Sequence, residues 1–231
     1  MIKAVIFDID NTLTDFMRMK RASVDAAVEA MIDAGLKVEK KTMVDKIFEV
    51  YWKEGVEDQK IFDKVLLQEF GRVDVPVLAA GIAGYRRAKA GTLALYPHVK
   101  MTLIELLRSG IRLGAISDAP KLEVWLRIVA LDLQHCFQHV VTSEDFQVHK
   151  PDPLPFRRAL DLLEVRPEEA LMVGDWAERD IAGAKRLGIK TAWAKYGNTF
   201  DTTDSGADYE LGDIAELLAI VRKENLSGAA A

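Results

Sequence analysis

The sequence predicts an α/β protein: a doubly wound parallel-sheet core carrying an inserted all-helical domain. Three observations lead there. From Pro97 onward, short runs of branched apolar residues alternate with amphipathic helical stretches, the pattern of a parallel sheet with helices on both faces. The first strand, within Lys3–Phe7, is almost wholly apolar, as in a strand buried on both faces. From Asp15 to about Leu93 no strand pattern appears, and an all-helical stretch of that length between strands of one sheet reads as an insertion that forms its own small bundle. The expected boundaries are 1–14 and 96–231 for the core and 15–95 for the insertion.

The elements follow in order. The first strand ends abruptly in Asp8-Ile9-Asp10-Asn11-Thr12, then Thr14. Strand side chains alternate, so Asp8 and Asp10 face one spot if the chain stays extended. Asp15 is a candidate N-cap for a helix with Val24, Val28 and Met31 on one face and a stop at Gly35. A second helix is expected over about 40–53 with Met43, Ile47 and Val50. A third carries Ile61, Val65 and Leu66 and stops at Gly71. A fourth follows Pro76 with Leu78, Ile82 and Tyr85 inward. After Pro97 come a helix (Val99, Leu103, Leu106, stop at Gly110) and a strand at 111–116 ending in Ser117-Asp118. Pro120 opens a helix whose inward face is read as Leu122, Trp125 and Val129. Then follow a short strand near 139–142, a polar loop with His149-Lys150-Pro151-Asp152-Pro153, and a helix with Phe156, Leu160 and Leu163. A strand at 170–173 ends in Gly174-Asp175. A helix at 181–187, a fifth strand at 190–194 and a last helix near 214–221 complete the core. Ser227–Ala231 reads as a frayed tail.

Composition narrows the function classes. A chain of 231 residues with 49% hydrophobic and 29% charged residues has the balance of a soluble globular enzyme. A net charge of −5 without a Lys/Arg block argues against nucleic-acid and anionic-membrane surfaces. No apolar run reaches membrane-spanning length, and no signal peptide precedes the first strand. One cysteine, Cys136, excludes an intrachain disulfide and fits a reducing, cytoplasmic setting. The four histidines show no zinc spacing.

Polar residues stand behind three of the strands: Asp8, Asp10 and Thr12; Ser117 and Asp118; Asp175 and Asp180. Lys150 precedes a helix. Strand C-terminal ends share one edge of a doubly wound sheet, where such folds bind ligands. Crowded carboxylates need a cation, and Asp8, Asp10 and Asp175 suit Mg²⁺. The Ser117 hydroxyl and Lys150 ammonium suit a phosphoryl group. A carboxylate can attack phosphorus and a second can donate a proton. Singly, each part has a plainer reading. Ser117-Asp118 before Pro120 is a good helix cap, Lys150 between His149 and Pro151 can be an exposed turn, and Asp180 can be a surface helix residue. Arg86, Arg87 and Lys89 read as the solvated face of the fourth inserted helix.

Taken together, the motifs resemble those of the haloacid dehalogenase-like (HAD) superfamily of hydrolases. DxDxT is Asp8–Thr12, the second motif is Ser117, the third is Lys150 in Lys-Pro-Asp-Pro, and GDxxxxD is Gly174–Asp180. The four stand in family order across nearly the whole chain. The insertion behind the first motif resembles the family's α-helical (C1-type) cap domain, and the core its Rossmann-like fold. Two positions depart from the common pattern, Asn11 for Gly and His149 for Lys or Gly, and neither touches a carboxylate or Lys150.

The resemblance implies roles. Asp8 is the expected nucleophile and a metal ligand, and Asp10 the general acid/base with its carbonyl on the metal. Asp175 is a further ligand of Mg²⁺, supported by Asp180. Thr12, Ser117, Asp118 and Lys150 are the expected phosphate-binding set. The implied activity is a Mg²⁺-dependent phosphatase acting on a small phosphorylated metabolite through an aspartyl phosphate. Asp10 separates that reading from a 2-haloacid dehalogenase, whereas a phosphomutase shares every motif. A phospho-acceptor receiver domain is the alternative of another class, but it carries its acceptor behind a middle strand and has no helical insertion. Phe16, Met17, Arg18 and Lys20 are candidates for substrate contact, and a monomer or homodimer is expected.

Overall fold

The computed structural model describes residues 1–227; the tail expected at 227–231 lies outside them from Gly228 on. The chain forms two compact units, Met1–Asp15 with Ala94–Ala231, and Phe16–Leu93.

The first unit is built on a six-stranded parallel sheet. Its strands are β1 (Ala4–Phe7), β2 (Arg112–Ser117), β3 (His139–Thr142), β4 (Ala170–Gly174), β5 (Lys190–Ala194) and β6 (Tyr209–Leu211). Their order is β3-β2-β1-β4-β5-β6. The chain winds outward from β1 in one direction, then returns to β4 and winds outward in the other. The switch falls between β1 and β4, which pair in register from Ala4 with Ala170 to Phe7 with Val173. A ligand crevice belongs at the C-terminal ends of such a pair.

Alternation along the strands divides the core into two layers. Val5 and Phe7 of β1, Leu113 and Ala115 of β2, and Leu171 and Val173 of β4 share one cluster. Val99, Leu103 and Leu106 of α5 (Val99–Arg108), Val124 and Ile128 of α6 (Lys121–Ala130), and Leu217 and Val221 of α9 (Glu216–Ser227) belong to it too. On the opposite face Ala4, Ile6, Ile116 and Met172 meet Phe156, Leu160 and Leu163 of α7 (Pro153–Leu163) and Ala184 of α8 (Ala182–Lys185). Asp152 caps α7 by accepting from the Leu154 N–H at 2.8 Å, and Pro153 takes the first turn, where no donor is needed.

Three expectations are corrected. The sheet has a sixth strand, β6, too short at three residues to carry a period-2 signal. The helix expected at 181–187 begins earlier, as a wide π turn over Ala177–Ile181, and its α-helical part is only Ala182–Lys185. In α6 the inward face is Val124, Arg127 and Ile128, while Leu122 (70% exposed), Trp125 (37%) and Val129 (54%) face outward. Both stripes of α6 are apolar at helical spacing, and the arginine on one of them made the other look like the core face.

The second unit consists of α1 (Phe16–Asp33), α2 (Lys40–Glu54), α3 (Ile61–Phe70) and α4 (Val75–Thr92). It has its own core of Val24, Val28, Met31, Met43, Ile47, Val65, Leu66 and neighbours. Gly81 and Gly84 of α4 let it lie against α1: a Cβ on Gly84 would come within 2.6 Å of the Ala26 carbonyl oxygen. Glu39 caps α2 and Asp74 caps α4. Gly71 ends α3 in the left-handed conformation at φ +68°.

Candidate active site

The site begins where β1 stops. The Asp8 N–H still donates to the Val173 carbonyl at 2.9 Å, so Asp8 is held by the ladder with β4. Past Ile9 the extended conformation ends. Asn11 takes φ +61°, and the N–H groups of Leu13 and Thr14 both donate back to the Ile9 carbonyl, at 2.9 and 3.2 Å. The two aspartates take different partners. Asp8 turns to Lys150, whose Nζ lies 2.6 Å from its Oδ1. Asp10 turns to α6, where Arg127 Nη1 donates to its Oδ2 at 3.0 Å.

Lys150 is buried, against the exposed-turn alternative, and reaches across the sheet edge. Its Nζ also donates to Asp180 Oδ1 at 2.6 Å and to the Ile116 carbonyl at 3.4 Å. Asp180 is equally buried, not a surface residue. Its second oxygen accepts from the Trp176 N–H at 3.1 Å, which locks the π turn. Gly174 makes this possible, because a Cβ there would overlap the Asp180 carboxylate. Asp175 completes the group: carboxylate oxygens of Asp8, Asp175 and Asp180 lie within 4.8 Å of one another, all buried.

Three carboxylates thus face one ammonium. Burial works against the charge on Lys150, but Asp180 and Asp8 outweigh it and hold the ammonium well above the ordinary lysine range. Burial, then Asp8 and Asp180, push the Asp175 carboxyl well above the ordinary carboxylate value. Asp180 is pushed up to about 7 by burial and by Asp8, even though Lys150 pulls it down. Three carboxylates against one ammonium leave the site with surplus negative charge. A second cation relieves it, and crowded carboxylate oxygens are the donors a hard divalent ion takes. The residues therefore fit Mg²⁺.

The remaining expected residues are distributed around this group. The buried Thr12 hydroxyl donates to Asp175 Oδ1 at 3.3 Å. Ser117, also buried, accepts from the Ala119 N–H at 3.2 Å, a turn-capping bond. Asp118 Oδ1 accepts from the Lys150 N–H at 2.9 Å and its Oδ2 from Arg179 Nη1 at 3.0 Å. It braces the Lys150 loop. Of the four candidates behind the first motif, Phe16, Met17 and Lys20 are buried and Arg18 is exposed. Lys20 Nζ sits 4.3 Å from the Tyr51 ring and 5.4 Å from the Tyr85 ring inside the helical unit.

Sequence reasoning missed the residues that hold the turn from behind. The Trp193 indole donates to the Asp175 carbonyl at 2.7 Å, and the Tyr196 hydroxyl to the Thr12 carbonyl at 2.7 Å. Gly197 lies so close to the Asn11 carbonyl that a Cβ would overlap it. The Arg179 guanidinium stacks 3.8 Å over Trp176, which stacks on Phe200 at 4.1 Å. Trp193-Ala194-Lys195-Tyr196-Gly197, running off the end of β5, was the available signal. Arg127 left one as well, a lone charge between Val124 and Ile128 on an apolar stripe.

Comparison with known proteins gives the family. The family model for haloacid dehalogenase-like hydrolases matches residues 2–188. A glyceraldehyde 3-phosphate phosphatase of Pyrococcus furiosus is 34% identical over 97% of this chain and 95% of its own. Its namesake in Methanopyrus kandleri is 36% identical over 96% of this chain and 98% of its own. Among solved structures, a HAD phosphatase from Thermococcus onnurineus is similar at TM-score 0.71 and 25% identity, over 95% of this chain and 98% of that one. With the buried carboxylates and lysine in the order of the family's motifs, and a match spanning most of its length, this chain belongs to the haloacid dehalogenase-like hydrolases and is a hydrolase of their phosphatase type.

Proposed function

We propose that the chain is a Mg²⁺-dependent phosphatase that cleaves a small phosphorylated metabolite through an aspartyl phosphate on Asp8. The observation that carries this reading is the buried Asp8 carboxylate, fixed at the end of β1 and 2.6 Å from the Lys150 ammonium. Asp8, Asp175 and Asp180, with the Asp10 carbonyl, are the residues that would hold Mg²⁺. When bound, the ion supplies positive charge that lets an anionic nucleophile meet an anionic phosphoryl group.

The chain's own residues do the rest. An Asp8 carboxylate oxygen attacks phosphorus, the bond from phosphorus to the leaving oxygen breaks, and protonated Asp10 gives that oxygen its proton. Asp10, now a carboxylate, takes a proton from water, which attacks phosphorus and breaks the bond to Asp8. The products are an alcohol and inorganic phosphate, with Asp8 restored. Lys150, the Thr12 and Ser117 hydroxyls and nearby N–H groups would hold the phosphoryl oxygens. The name shared by relatives that span nearly the whole chain supports a triose phosphate, glyceraldehyde 3-phosphate, as substrate.

Phosphate release from glyceraldehyde 3-phosphate, phosphoserine and p-nitrophenyl phosphate, with and without Mg²⁺, tests the reading. Release is expected only with the ion, to stop with EDTA, and to be fastest with the triose phosphate. Asp8→Asn should fall to background. Asp10→Asn should lose about 10² to 10⁴ in rate on an alkyl phosphate. With p-nitrophenyl phosphate it should accumulate a hydroxylamine-labile phosphoenzyme on Asp8. Activity in Asp8→Asn, or a label elsewhere, would overturn the aspartyl-phosphate route.

A further inference from the structure

Arg127 is only 1% exposed, on the inward face of α6, in the layer that contains Ile9, Leu13, Val124 and Ile128. A guanidinium stays charged in any protein setting, so its burial is costly unless a carboxylate answers it in good geometry. Asp10 answers it: Nη1 to Oδ2 is 3.0 Å, across 117 residues of sequence. The pair ties the turn behind β1 to the helix behind β2. The tie falls where the chain has left the main sheet ladder and bends through the left-handed Asn11. The carboxylates that crowd together are Asp8, Asp175 and Asp180. One Asp10 oxygen accepts from Arg127 on α6.

We infer that Arg127 is a positioning residue for the reaction: it fixes the Asp10 carboxylate at the distance and orientation in which Asp10 exchanges protons with the leaving oxygen and the attacking water. The inference rests on the acid–base role proposed for Asp10. Arginine suits the task better than lysine, since its planar fork constrains direction as well as distance, whereas an ammonium is a point charge on a flexible stem. A small misplacement of a proton-transfer group is enough to slow a reaction about 10²-fold.

The test is a set of variants in two backgrounds: Arg127→Lys and Arg127→Met, each with Asp10 and with Asp10→Asn, assayed on glycerol phosphate with saturating Mg²⁺. With Asp10 present, Arg127→Met should lower kcat by about 10- to 100-fold, and Arg127→Lys should recover part of the loss. KM should stay within about twofold. In the Asp10→Asn background the same substitutions should change kcat by less than about twofold, because the group they position is gone. Thermal melts supply a readout of pairing: Arg127→Met should melt lower, and the double variant should regain part of the loss, since losing both members of a buried pair costs less than losing one. If Arg127→Met does not fold, the Arg127→Lys pair carries the same comparison. Equal rate losses in both backgrounds, or an unchanged kcat in folded Arg127→Met, would overturn the inference while leaving Asp10's role intact. Wild-type turnover by Asp10→Asn would instead overturn the acid–base reading, and this inference with it.

Discussion

Single residues in this protein are decided by who answers their charge. Lys150, Asp180 and Arg127 are all buried, and each is tolerated because an opposite charge stands within 3.0 Å. Glu169 shows the same logic away from the active site. Its Oε1 pairs with Lys3 Nζ at 2.6 Å and with Arg166 Nη2 at 3.2 Å, and its Oε2 accepts from the Arg166 N–H at 3.0 Å. These partners, Arg166 foremost and then Lys3, hold its carboxyl down to about 2, below the ordinary 4.5. A carboxyl lowered in the folded state adds stability above its unfolded value and loses it as pH falls toward the folded one. Thermal melts of wild type and Glu169→Gln should therefore differ most above about pH 4.5 and converge as pH falls toward about 2. A difference that grows on acidification would contradict the assignment.

At the scale of elements, close approach is what α1 and α4 require. Gly84 faces the backbone of α1, whereas nothing lies within 4 Å of a Cβ on Gly91, about two turns further along α4. Gly84→Ala should destabilise by about 1–3 kcal/mol, since the obstacle is a carbonyl that cannot rotate away. Gly91→Ala should instead stabilise by about 0.5–1 kcal/mol, through helix propensity alone. Urea titrations of both variants decide it, and equal effects would mean that the two helices can slide apart freely. The helix α6 teaches the complementary lesson. Two apolar stripes compete there; the buried one is the stripe on which Val124 and Ile128 join the core and Asp10 answers Arg127.

At the scale of the whole molecule, the chain leaves and re-enters the sheet-bearing unit at neighbouring points. Thr14 and Leu95 form an antiparallel bridge, the Asp15 N–H donates to the Ala94 carbonyl at 3.3 Å, and the Tyr96 N–H to the Leu13 carbonyl at 3.0 Å. Two strands side by side can be joined by a turn of about two to five residues. Removing residues 16–93 and closing the gap in this way should leave a unit that melts cooperatively with native near-ultraviolet dichroism. Residues 16–93, with their own apolar core, should fold separately. The shortened enzyme should still hydrolyse p-nitrophenyl phosphate with Mg²⁺ but discriminate less among metabolites. A shortened chain without a cooperative melt would show that the units do not fold independently.

The sequence by itself determined the parallel α/β class, the helical run behind the first strand, and which residue types gather behind the strands. Those features are local or periodic: branched apolar runs, helical spacing with glycine stops, and short motifs such as Asp8–Thr12 and Gly174–Asp180. Only the tertiary structure decided that Asp8 meets Lys150 and Asp10 meets Arg127, that Asp118 braces Lys150, that Arg127 is buried, and that β6 closes the sheet edge. Each of these depends on a partner far along the chain: 142 residues for Asp8 and Lys150, 117 for Asp10 and Arg127. A side chain's direction in a turn is set by the charge it finds there, and spacing along the chain carries no record of that charge.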